Sequence, residues 1–167
     1  MTTHTAGTVL HESERAWMER AVQLATTSVE NGGGPFGALV AKGDGIVALG
    51  NNQVTAHLDP TAHAEVSAIR AACKELGTFS LEGCTLVTSC EPCPMCLASA
   101  LWARADRIVY CADRDDAAAA GFDDRAFYDL FEKRPQAAWP MTVTHLDLPE
   151  RTRPFDAWLA KSDRVAY

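Results

Sequence analysis

No run in this 167-residue sequence approaches the roughly 20 consecutive apolar residues that a membrane-crossing helix needs. The opening MTTHTAGTVLHESE has no apolar core, so no secretory leader is expected. Positive charge is also scarce: 22 acidic residues against 15 basic ones give a net charge of −7, which argues against nucleic acid as partner. There is no internal repeat and no sign of a second domain. The sequence therefore reads as one domain over 1–167, with residues 1–12 as a disordered lead-in. What it does have is cysteine, at positions 73, 84, 90, 93, 96 and 111. Without a leader or a membrane span, the expected compartment is the reducing cytoplasm, where these stay thiols or bind metal.

Two short stretches carry the chemistry: DPTAHAE, ending at Glu65, and TSCEPCPMC, ending at Cys96. Catalytic zinc takes three protein ligands in a tetrahedral set and leaves the fourth position for water. His63, Cys93 and Cys96 supply three. The cysteines, three residues apart, fall on one side of a helix's first turn. Pro94 suits the first helical position and puts Cys93 at the N-cap, where free N–H groups favour thiolates. Glu65 is the proton carrier that activation of water requires. Residues two apart in a regular helix point to nearly opposite sides, so His63 and Glu65 converge only at a helix start, which Thr61 would cap. A redox or structural-zinc role for the C-x-x-C remains the competing reading. Structural zinc would want a fourth ligand, for which Cys90 is the candidate, yet it leaves Glu65 without a task. Catalytic zinc uses all four residues.

The periodicities around these stretches suggest an alternating order. A helix capped by Ser13 runs to Asn31, where three glycines stop it. Phe36 to Ala41 and Ile46 to Gly50 form a hairpin across Lys42-Gly43-Asp44-Gly45. A polar loop leads to a helix from His63 to Leu76, a strand from Cys84 to Thr88, a helix from Pro94 to Ala103 and a strand from Arg107 to Ala112. Strands and helices alternating in this way imply parallel pairing. A helical turn at Asp115 to Ala120, a helix from Arg125 to Lys133, a strand from Met141 to Asp147 and a helix around Phe155 to Leu159 complete a three-layer α/β/α sandwich with a mixed central sheet.

The pattern H-x-E with P-C-x-x-C is the signature of zinc-dependent nucleobase and nucleoside deaminases. Five further stretches narrow the likeness: Gly34 to Ala38, Asp59 to Cys73, Thr88 to Leu97, Ala120 to Asp124 and Phe155 to Tyr167. On these the chain resembles the bacterial guanine deaminases of the cytidine-deaminase fold. That resemblance implies hydrolytic deamination of guanine to xanthine and ammonia, with one zinc per chain, zinc-bound hydroxide attacking and Glu65 shuttling protons. It also implies Asp124 as a second acid; read alone, Asp123 and Asp124 serve equally as a cap for the next helix. For the purine pocket it points to Phe36, Asn52, Ala64, Trp102, Phe122 and Tyr167. Without the resemblance, Asn52 reads as a turn residue, Phe36 and Trp102 as core, and Tyr167 as a frayed end. It further implies a homodimer in which the tail, 149–167, is exchanged between subunits. Guanosine, cytosine and, less favoured, tRNA adenosine are the alternative substrates. A non-catalytic zinc module is the alternative class.

Overall fold

The computed structural model describes residues 12–132 and 139–165. It divides into two compact units, Met1–Asp124 and Arg125–Tyr167. In the first, the layers are set by alternation along the strands. Strand β1 (Gly37–Lys42) sends Ala38 and Val40 to one face of the sheet and Leu39 and Ala41 to the other. It turns through Gly43, at φ 58°, into antiparallel β2 (Gly45–Asn51). On its other side β1 pairs antiparallel with β3 (Cys84–Cys90), which pairs parallel with β4 (Arg107–Ala112). The order is β2-β1-β3-β4, so the sheet is mixed.

Helix α1 (Glu12–Glu30) covers one face, packing Ala21 against Leu39, Ala41 and Val87. The short α2 (Val54–His57) is followed by α3 (Ala64–Leu76), and α4 (Pro94–Trp102) connects β3 to β4. Ala64, Ala68, Ile69 and Ala72 of α3 and Ala100 of α4 bury Ala38, Val40 and Leu86 on the second face. This is the expected three-layer sandwich. Small residues let the layers approach closely. A Cβ added to Gly50 would lie 2.3 Å from Ala64 O, and one added to Gly37 would lie 2.3 Å from Ala21 O, so each strand glycine seats a helix backbone. The buried Glu14 of α1 is paired with Arg107 of β4.

Helix α5 (Arg114–Ala119) is the last helix of the first unit. Helices α6 (Arg125–Glu132) and α7 (Arg153–Ala160) belong to the second. Several expectations need correction. Ser13 lies inside α1 rather than capping it, and the loop before Pro60 contains α2. Thr61 caps nothing: its N–H and hydroxyl both donate to Asp59 Oδ1, making a local turn. Residues 141–147 form no strand. They pair with no other strand among the described residues, Met141 and Val143 are exposed, and a strand needs a ladder partner for its backbone groups. Residues 1–11 of the expected lead-in, the end of the Arg125 helix at Lys133 and Tyr167 lie outside the described residues. Among those described, no helix is long and apolar enough to cross a membrane.

Candidate active site

The two helices that cover one face of the sheet begin at the same place. His63 is the N-cap of α3, with φ −64° and ψ 158°, and Cys93 is the N-cap of α4, with φ −69° and ψ 168° and Pro94 following. The extended cap conformation resolves the geometric difficulty of H-x-E. His63 is not yet helical, so its side chain and that of Glu65, in the first turn of α3, reach one point. Nδ1 of His63 lies 3.6 Å from Cys93 Sγ and 3.5 Å from Cys96 Sγ, and the sulfurs are 3.5 Å apart. Zinc bonds of ~2.3 Å to sulfur and ~2.0–2.1 Å to nitrogen, at tetrahedral angles, place such atoms ~3.6–3.8 Å apart. The triangle therefore has the size of a tetrahedral zinc face, and its donor set of one imidazole and two thiols suits that metal. Cys90 stands outside it: its thiol points to Asp113 O at 3.7 Å, and burial raises its pKa to about 11. That thiol is a small buried residue, which disposes of the four-ligand structural alternative.

Without a metal, the sulfurs share charge unequally. The hydrogen bond between the two sulfurs lowers the pKa of Cys93, aided by His63, while that of Cys96 rises. The bond to Cys93 in turn raises the pKa of His63. Metal binding must therefore expel protons, as thiolate and imidazole ligands generally require.

Glu65 is 4% exposed. Its Oε1 accepts from Thr88 Oγ1 at 3.0 Å and its Oε2 lies 3.4 Å from Cys96 Sγ. Burial raises its pKa, with the Thr88 bond opposing, so the carboxylate is a stronger base than a solvated one. Thr88 escapes a sequence reading. Its only signal is a hydroxyl after Leu86 and Val87 in a strand that also carries Thr85 and Ser89, where β-propensity alone accounts for threonine.

Asp124 follows the glycine turn after α5. Burial raises its pKa, and the charge on Cys93 adds to the shift. Its Oδ1 is buried and accepts no hydrogen bond among the described residues. The neighbouring Asp123 is exposed. Phe122 meets Phe36 edge-on, with ring centroids 5.0 Å apart. The backbone N–H of Asn52 donates to Phe36 O at 3.2 Å, and its side-chain Oδ1 accepts from Val54 N at 3.2 Å. Asn52 is thus the turn residue that α2 needs, and its carboxamide is fixed with Nδ2 left as the donor. Ala64 is buried at the first position of α3, where helix N–H groups lack intrahelical partners. Trp102 is different. It ends α4, some 13 Å along the axis from Cys93 at 1.5 Å per residue, and it is exposed in a depression with Ala98, Leu101 and Arg104. Within one chain it is not a wall of the metal site.

A larger cavity of about 730 Å³ lies between α1 and β4, bordered by Phe36 and Phe122. None of the three metal-type ligands lines it.

Comparison with known proteins agrees with this geometry. A family model of the cytidine and deoxycytidylate deaminase zinc-binding region matches residues 11–112. Guanine deaminase of Bacillus subtilis is 46% identical over 156 residues, covering 93% of this chain and 99% of that protein. An X-ray structure of guanine deaminase from Bacillus subtilis matches with a TM-score of 0.88 at 47% identity, over 92% of this chain and 98% of that one. A protein crystallised in complex with 2,6-diaminopurine matches with a TM-score of 0.64 at 36% identity, over 66% and 62% of the two chains. The tRNA-specific adenosine deaminase of Bacillus subtilis is 36% identical over 97 residues, 58% of this chain and 60% of that protein. This chain belongs to the zinc-binding cytidine and deoxycytidylate deaminase family, and along nearly its whole length it is a homologue of bacterial guanine deaminase.

Proposed function

We propose that the chain hydrolyses guanine to xanthine and ammonia, with one zinc per chain held by His63, Cys93 and Cys96. The observation that carries this reading is Asp124. A second half-buried carboxyl, with an unpartnered oxygen, stands within electrostatic reach of Cys93 and outside the region common to the wider family. A zinc ion in the His63 site supplies acidity, bringing a water molecule towards ionisation at neutral pH. Glu65 accepts a proton from the attacking water and delivers it to ring N3. As the C2–O bond forms, the C2=N3 electron pair moves onto N3. Asp124 protonates the exocyclic amine and regains a proton from the new C2 hydroxyl. The C2–N bond then breaks, ammonia leaves with that electron pair, and C2=O remains. Two carboxyls on separate elements divide these transfers so that neither has to travel.

Phe36 and Phe122 border the purine plane, Asn52 Nδ2 donates to an acceptor on its edge, and the N–H of Ala64 is a second donor. Tyr167 would close the pocket from a second copy. Two observations support such an exchange of the 149–167 tail in a homodimer. The outer edge of β4 pairs with no strand among the described residues, and the segment 141–147, with Val143 flanked by threonines, is itself unpaired. A purine-base substrate and six free thiols suit the cytoplasm.

The test is ammonia release by the zinc-loaded protein, with guanine, guanosine, cytosine, adenosine and tRNA compared in parallel. Turnover confined to guanine, lowered about 10²–10⁴-fold by Glu65→Gln with zinc retained, is the expected result. Turnover of tRNA or cytosine in place of guanine overturns the substrate, and undiminished activity of Glu65→Gln overturns the mechanism.

A further inference from the structure

Helix α5 buries none of its residues. Apolar burial therefore contributes little to holding it, yet Phe122 and Asp124 hang from its end. What fixes it is a set of polar bonds to the loop between β3 and the metal cysteines. Glu91 Oε2 accepts from Arg114 N at 3.1 Å, and Oε1 accepts from Arg114 Nε at 3.1 Å and, closer still, from the guanidinium Nη2. Glu91 N donates to Ala112 O at 2.8 Å, and the Cys90 thiol points at Asp113 O. Residues 90 and 91 thus grip the chain at 112, 113 and 114 in turn.

The far end of this grip is equally definite. Asp113 caps α5, accepting from Asp115 N and Asp116 N at 2.9 Å, and its own N–H donates to Asp116 Oδ2 at 3.1 Å. Gly121, at φ 93°, reverses the chain, and Phe122 N returns to Ala117 O at 2.9 Å. Asp124 is two residues further on. From Cys93 to Asp124, then, the connection runs through Glu91, Arg114 and a stiff capped turn.

We propose that Glu91 and Arg114 form a positioning pair, which holds the loop bearing Phe122 and Asp124 in register with the metal cysteines. The proposal rests on Asp124 as the second acid. A surface ion pair used only for stability contributes little. A guanidinium fork on a carboxylate, reinforced by a backbone N–H from the same arginine, fixes orientation as well as distance. The pair touches no reacting atom, so its effect on the reaction passes through Asp124.

The experiment is a double-mutant cycle of Glu91→Gln with Asp124→Asn, measured on zinc-loaded protein. Glutamine puts an amide donor against either the guanidinium or Arg114 N–H, so one arm of the grip is lost. Glu91→Gln alone is expected to lower kcat about 10–100-fold, the cost of a displacement of about 1 Å, with zinc content unchanged. In the Asp124→Asn background the same change is expected to cost less than about twofold, because sites that act through each other are not additive. Arg114→Gln should repeat the pattern from the other side, and it serves if Glu91→Gln does not fold. Additive losses in both cycles, or wild-type kcat for both single variants at the pair, overturn the positioning role. Wild-type kcat for Asp124→Asn overturns the Asp124 assignment itself, and the pair's target with it.

Discussion

Gly50→Ala should damage the metal site although residue 50 does not line it. Gly50 sits on β2 opposite Ala38, facing α3. An added Cβ would fall 2.3 Å from Ala64 O and 2.5 Å from Ala68 N, and both of these are backbone atoms that cannot rotate aside. Ordinary contact lies about 1 Å further out, so α3 must recede by about that distance or the strand must bow. The first turn of α3 carries Glu65, and its N-cap is His63, while Cys93 and Cys96 stay on α4. A site of this kind tolerates a shift of about 0.5 Å. The expected outcome is weaker zinc retention, a fall in kcat of about 100-fold, and an overpacking cost of about 2 kcal/mol, seen as a Tm about 4–8 °C lower. Gly37→Ala is the control. It meets Ala21 O at 2.3 Å and Ala25 N at 2.5 Å, but on the α1 face. It should destabilise by a similar amount while zinc affinity changes far less. Zinc titration, calorimetry and ammonia release read all three quantities. If Gly50→Ala lowers Tm yet binds zinc and turns over like wild type, or if both glycine variants lose zinc equally, the idea that this contact sets the site is refuted.

Two other outcomes follow from the same geometry. Burial raises the pKa of Glu65 above its ordinary 4.5, so the folded, metal-free chain binds this proton more tightly than the unfolded chain does. Its contribution to stability is present below the unfolded value and is lost as pH rises through the folded one. Metal-free Glu65→Gln should accordingly be more stable than metal-free wild type near neutral pH, with the advantage shrinking towards pH 4.5; a pH-independent difference in urea unfolding contradicts this. A chain ended after Pro154 lacks most of α7 and everything beyond it. It should keep zinc but lose at least tenfold in kcat/KM for guanine, and unchanged activity removes the tail from the reaction.

The fold and the candidate metal triad were legible because their signals are local. Strand alternation, the glycines of the hairpin and proline after Cys93 each act within a few residues. So does the N-cap chemistry that lets His63 and Glu65 converge. Other features depend on partners distant in sequence. Thr88 meets Glu65 across 23 residues, and Glu91 meets Arg114 across 23. Neither pair has a spacing rule, because each bridges a helix crossover or a strand register. That Asp124 is half-buried and Asp123 exposed is likewise invisible in two identical letters. The misplaced strand at 141–147 shows the converse: β-branched residues such as Val143 give a local preference, but pairing decides. Trp102 shows the same limit: an aromatic residue near a metal motif in sequence sits, within one chain, at the opposite end of the helix that carries the cysteines.

The sheet order explains why one crossover can serve both ligand sets. Strands β2 and β3 both run antiparallel to β1, so α4 leaves the end of β3 at the same rim as the end of β2, with the start of β1 between them. Helix α3, arriving after β2 by way of α2, starts at that same rim. Both helix starts therefore bring positive dipole ends to one point, where they favour two thiolates and the carboxylate of Glu65. The third contributor, α5, follows β4 and reaches the rim as well, but it lacks a buried face to anchor it. A helix start without a packed stripe needs a polar anchor. The residue placed to provide one is the glutamate between the end of β3 and the first metal cysteine, because it already belongs to the loop whose distance from Asp124 has to be kept.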